Sequence, residues 1–150
     1  MVKTNSLIYK TYKMEKIEHI GIAVKDLNAS ISLFEQLLNT NCYKIEEVES
    51  EGVQTAFFAT GPNKIELVAS TKEDSPIAKF IERNGEGIHH IAFKTQDIHK
   101  EMERLAAAGF QLLNDVPKKG ADGQLVCFLH PKSSNGVLIE LCQDDPDFKA

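Results

Sequence analysis

Two stretches of the chain carry the same alternation of apolar and polar residues, and a helical stripe follows each. The run "IEHIGIAV" (17–24) reads as a strand, and so does "GEGIHHIAF" (85–93). Past each strand stands an aspartate, Asp26 or Asp97, where an N-cap belongs. Apolar residues then recur at spacings of four and three: Leu27, Ile31, Phe34 in the first copy and Ile98, Met102, Leu105 in the second. That rhythm predicts two amphipathic helices, the second stopping at Gly109. Three strand-like runs follow each helix: 42–48, 53–60 and 64–69, then 110–116, 124–130 and 136–142. Turn residues separate them, and 75–85 predicts a short helix bridging the halves.

Residues 19–39 superpose on 90–110 with a constant offset of 71, placing His19 on His90, Gly21 on Ala92 and Asp26 on Asp97. Agreement of cap, stripe and strand order predicts a duplicated βαβββ unit. The fold class expected is α+β, two tandem modules forming a curved mixed sheet around a concave cup. The expected divisions are an extension at 1–14, disordered or the product of an early start, and one domain at 15–145. Within that domain module one is 16–70, the linker helix 71–86 and module two 87–143, with a tail at 146–150.

Strand neighbours point to opposite faces, so alternation sorts the polar residues. Ile20, Ile22 and Val24 face the helix, which sends His19 to the concave side with Gly21 and Ala23. Likewise Ile91 and Phe93 leave His90 on the concave side and His89 beneath it, a bystander. Glu18 occupies the position equivalent to His89, at a strand start where its carboxylate reaches water. On each half's last strand a glutamate breaks the apolar face, Glu66 in "KIELVA" and Glu140 in "VLIELC", 47 and 50 residues after its histidine. Burying such groups unpaired is costly, and a cation relieves that cost. Two imidazoles with two carboxylates suit one divalent ion per chain, Co, Mn, Zn or Ni, with positions left for water or substrate.

Composition narrows the function classes. A net charge of −5 leaves no basic footprint for nucleic acid. No apolar run is long enough for a membrane span. Three cysteines without a pairing motif point to reduced thiols and a cytoplasmic setting.

The stretches "IEHIGIAVKDL", "DSPIAKFIERNGEGIHHIAF" and "FLHPKSSNGVLIEL" resemble the vicinal oxygen chelate superfamily (glyoxalase, bleomycin resistance, dioxygenase). Within it they are similar to the methylmalonyl-CoA epimerase family, across residues 16 to 143. The resemblance implies metal ligands at His19, Glu66, His90 and Glu140, with Glu140 also an acid/base, and a homodimer. It implies epimerisation of (2R)- and (2S)-methylmalonyl-CoA by proton removal and return through a metal-stabilised enolate. Thr55 stands where some relatives carry a glutamate base, so the second acid/base stays open among Glu47, Glu49, Glu51 and Glu66. Lys118, Lys119 and Lys132 are candidates for the CoA phosphates, and His130 for lining the cup. The alternatives are a glyoxalase-type lactoylglutathione lyase, or a non-catalytic binding or resistance protein on the same fold.

Overall fold

A computed structural model describes residues 13–150. The extension expected at 1–14 therefore lies outside the described residues, except for Lys13 and Met14. The elements run β1 (Lys16–Ala23), α1 (Leu27–Leu38), β2 (Lys44–Val48), β3 (Val53–Thr60) and β4 (Asn63–Ser70). After α2 (Pro76–Asn84) come β5 (Gly87–Lys94), α3 (Ile98–Ala107), β6 (Lys118–Lys119), β7 (Gln124–Leu129) and β8 (Ile139–Asp144).

Both helix starts follow from their caps. Asp26 accepts from Ala29 N and Asp97 from Lys100 N, each satisfying a free amide of the first turn. The helices then bury their stripes against the outer face of the sheet. Leu27, Ile31 and Phe34 pack with Phe58 and Leu67, while Ile98, Met102 and Leu105 pack with Cys127 and Leu141. α2 starts at Ser75, whose hydroxyl accepts from Ala78 N, with Pro76 in the first turn. Through Ile77, Phe80 and Ile81 it covers part of the inner face around Ala23, Val53 and Val68.

All strands form one curled mixed sheet in the order β2-β3-β4-β1-β5-β8-β7-β6. The pairs β1/β4 and β5/β8 are parallel, and β1/β5 joins the two modules antiparallel at the centre. This is the glyoxalase-like α+β arrangement of tandem βαβββ modules that the sequence predicts.

Two expected strands differ. Within 110–116 only Leu112 makes a bridge, to Leu129, and the edge strand is confined to Lys118–Lys119. Asn114 Oδ1 accepts from Phe128 N at 3.0 Å, so a side chain takes the place of ladder backbone, and Pro117 offers no amide. The run at 136–142 enters the sheet only at Ile139, after a 3-10 turn (Pro131–Ser133) and Gly136 at φ 86°.

Candidate metal centre

Each of the four central strands contributes one side chain to a single point on the inner face. Glu66 comes from β4, His19 from β1, His90 from β5 and Glu140 from β8, so the carboxylates flank an imidazole pair. The register accounts for the convergence: Gly21 pairs with both Glu66 and His90, and Ala92 with both His19 and Glu140. All four are buried, at 5–6% exposure.

His19 Nε2 and His90 Nε2 lie 3.1 Å apart. Glu66 Oε2 is 3.3 and 3.2 Å from them, and Glu140 Oε2 is 3.5 and 3.1 Å. Atoms held about 2.0–2.2 Å from one ion stand roughly 3 to 3.5 Å apart at tetrahedral or octahedral angles. The donor set thus fits a small divalent cation. The ligand atoms of His19, His90 and Glu140 lie within 4.8 Å of one another, and Glu66 Oε2 stands equally close to both imidazoles.

Burial disfavours the charged form of each group, but the opposite charges outweigh it. Glu140 and Glu66 raise His90 to about 9, and they act with Glu18 to hold His19 well above the usual histidine value. The same imidazoles hold Glu66 and Glu140 below the carboxylate range. Positive charge on the imidazole side is therefore what the two carboxylates favour, and a divalent ion held there would answer the same charge.

Two residues outside the expected set touch the cluster. Glu18 Oε1 is 3.4 Å from His19 Nδ1, and His89 Nδ1 is 2.9 Å from His90 Nδ1. Glu18 is only 3% exposed, which corrects the expectation that it meets water. His89 is half-buried at the cleft, which corrects its reading as a bystander beneath the sheet. The β1/β5 register skips one residue at Glu18 and another at His89. Each is the extra residue of a β-bulge, where strict alternation fails and a side chain is re-aimed. One signal was available in the sequence: the offset of 71 relates Glu18 to His89 just as it relates His19 to His90.

The cluster opens into a cleft that Glu66, His90 and Glu140 line. Val53, Val68 and Ile77 form one apolar wall, and Val126 and Phe128 another. Lys118 and Lys119 line it as well; Lys118 pairs with Glu51, also in the lining, and Lys119 lies 3.7 Å from Asp145. His130 and Lys132 sit instead on the turn after β7, where His130 Nδ1 accepts from Lys132 N at 3.0 Å. Thr55 is in the cleft wall, its hydroxyl donating to Glu46 O at 3.3 Å. Glu49 and Glu51 bound a 3-10 turn, and Glu47 lies on β2 beside Val48.

Residues 18–128 match the Glyoxalase/Bleomycin resistance protein/Dioxygenase superfamily. The chain belongs to that superfamily. It is 43% identical over 131 residues to an ethylmalonyl-CoA/methylmalonyl-CoA epimerase of Cereibacter sphaeroides, covering 85% of this chain and 97% of the relative. An uncharacterized Bacillus subtilis protein is 37% identical over 134 residues, covering 89% of this chain and 96% of the relative. Among solved structures, a Streptomyces coelicolor methylmalonyl-CoA epimerase in complex with 2-nitronate-propionyl-CoA superposes with a TM-score of 0.85 at 35% identity. That match covers 88% of this chain and 99% of the other. Superfamily members on one fold run different reactions, so the activity rests on the site itself.

Proposed function

We propose that this protein is a metal-dependent methylmalonyl-CoA epimerase, an isomerase that interconverts the (2R) and (2S) forms by moving the α-proton. The observation that carries the reading is the four-strand donor set, two imidazoles and two carboxylates meeting at the floor of an apolar-walled cleft. Similarity to epimerases over nearly the whole chain supports the substrate class.

His19, Glu66, His90 and Glu140 would hold one divalent ion. Bound there, the ion would supply Lewis-acid charge to the thioester and carboxylate oxygens that flank the acidic carbon. Glu140 takes the α-proton on one of its carboxylate oxygens and gives it back. Inversion needs a second group on the opposite side of the carbon. Thr55 is no base at neutral pH, and its hydroxyl is committed to Glu46 O. Glu47 and Glu49 are exposed and do not line the cleft, and Glu51 is paired with Lys118, which leaves Glu66, the mirror of Glu140 across the β1–β5 pair. Val53, Val68, Val126 and Phe128 keep bulk water from the reacting carbon. Lys118 and Lys119 at the cleft meet the CoA phosphates. Three unpaired cysteines support a reducing, cytoplasm-like setting, and the resemblance to the epimerases implies a homodimer.

Among the described residues no helix is long and apolar enough to cross a membrane. The deciding experiment supplies cobalt-loaded protein with one epimer of methylmalonyl-CoA and follows formation of the other by NMR. Conversion to an equal mixture is expected. No conversion, with turnover of a hemithioacetal instead, would replace this reading with a lactoylglutathione lyase.

A further inference from the structure

The twin bulges place a hydrogen-bond partner behind each imidazole of the cluster. Glu18 and His89 are equivalent residues of the two modules, each the extra residue of its strand and each immediately before a cluster histidine. Nε2 of His19 and of His90 points into the cluster, so Nδ1 is the nitrogen left for orientation. On His19 that atom meets a carboxylate oxygen, which can only accept, so Nδ1 carries the proton and Nε2 keeps its lone pair for a ligand. On His90 the partner is the Nδ1 of a second imidazole. With His90 Nδ1 protonated, His89 Nδ1 must be the acceptor, and His89 is then neutral with its own proton on Nε2.

Glu18 is fixed from behind. Its Oε1 also accepts from Lys64 Nζ at 3.0 Å, and Lys64 Nζ donates onward to Asp122 Oδ2 at 2.9 Å. Asp122 follows Gly120 and Ala121, which line the cleft, so the chain His19–Glu18–Lys64–Asp122 ends beside that part of the cleft rim. Glu18 Oε2 is buried with no partner among the described residues. A carboxylate kept buried at that cost, for the sake of one shared oxygen, is unexplained by packing. His89 is fixed by Phe80 of α2, whose ring meets it edge-on at 4.9 Å between centroids.

We infer that Glu18 and His89 are positioning residues, each locking the tautomer and ring orientation of the histidine that follows it, one as an anionic acceptor and the other as a neutral one. The inference rests on the reading of His19 and His90 as metal ligands. Neither belongs to the four-residue donor set; each acts through its histidine.

The test uses zinc, competed against a fluorescent chelator, and NMR of 15N-labelled histidine in the zinc-loaded protein. Glu18→Ala and His89→Ala should each weaken zinc binding about 10- to 100-fold. Glu18→Gln and His89→Asn, which restore an acceptor oxygen, should recover to within about threefold of the wild type. Glu18→Ala should disturb only the His19 Nδ1–H signal, and His89→Ala only that of His90. A merely structural role would give no such residue-by-residue pairing and no recovery in the conservative variants. Zinc affinity within about twofold of wild type in both alanine variants, or unmoved Nδ1–H signals, would overturn the inference while the metal centre stands. Failure of the wild type itself to take up zinc would bring down the metal reading, and this inference with it.

Discussion

The imidazole of His90 lies directly over Gly21 on the neighbouring strand: a Cβ added to Gly21 would sit 2.0 Å from His90 Cε1. The glycine is needed for room, because its backbone is not among the positive-φ residues of the chain. Gly21→Ala should therefore push the His90 ring aside rather than break the strand. Zinc affinity is expected to fall at least about tenfold. The stability loss in a urea melt is expected to stay within about 1–3 kcal/mol, the usual cost of overpacking. Unchanged zinc affinity would show that His90 binds from another rotamer.

Glu140→Gln and Glu66→Gln should fail in different ways. Removing the carboxylate of Glu140 is expected to slow α-proton exchange by about 10²- to 10⁴-fold. With Glu66→Gln, one epimer should still wash in deuterium from heavy water while conversion to the other epimer stops. NMR of methylmalonyl-CoA in deuterated water separates exchange from inversion. Inversion at the wild-type rate in Glu66→Gln would assign the second proton to another group.

Thr55 is 2% exposed, and Thr55→Val removes its hydroxyl, which donates to Glu46 O. Turnover is expected to stay within about threefold, because a threonine supplies no base. Stability should fall by about 1 kcal/mol for the lost hydrogen bond. A large loss of kcat without a loss of stability would give Thr55 a direct catalytic part.

Asp122 should govern part of the acid stability. Its carboxylate accepts from Lys64 Nζ at 2.9 Å and Tyr43 OH at 2.8 Å, with Lys44 Nζ at 3.4 Å. Burial would raise its pKa, yet these donors hold it below 3.8. A depressed acid stabilises the fold above its unfolded value and loses that contribution as pH falls through its folded value. Asp122→Asn is therefore expected to cost about 1–3 kcal/mol near neutral pH, with the difference from wild type closing as pH falls below the ordinary aspartate value and through the depressed folded one. Urea melts across that range check it; a constant difference would mean that the carboxylate's charge is not what matters.

The four cluster residues were legible because alternation along central strands and an internal repeat constrain one another, even though His19 and His90 each follow a bulge residue. His19 and His90 share the offset of 71, and Glu66 and Glu140 interrupt otherwise apolar faces. Alternation failed at Glu18 and His89, since a bulge shifts register without changing composition. It failed again at 110–116, where the apolar Phe110, Leu112 and Leu113 read as a strand. There the pairing with β7 is limited to one bridge at Leu112, beyond which the Asn114 side chain takes over the Phe128 amide and Pro117 offers none. The lysines could be named from charge alone, but only the fold separates Lys118 and Lys119, which line the cleft, from Lys132, on a turn that is not part of the lining.

One titration tests the centre of the account most directly. Protein stripped with a chelator is given cobalt in steps, and each step is assayed for ion uptake and for deuterium entry at the α-carbon of methylmalonyl-CoA. Both should rise together and saturate at one ion per chain, with His19→Ala and His90→Ala losing both. Full exchange in the stripped protein, or uptake that saturates without any exchange, would contradict it.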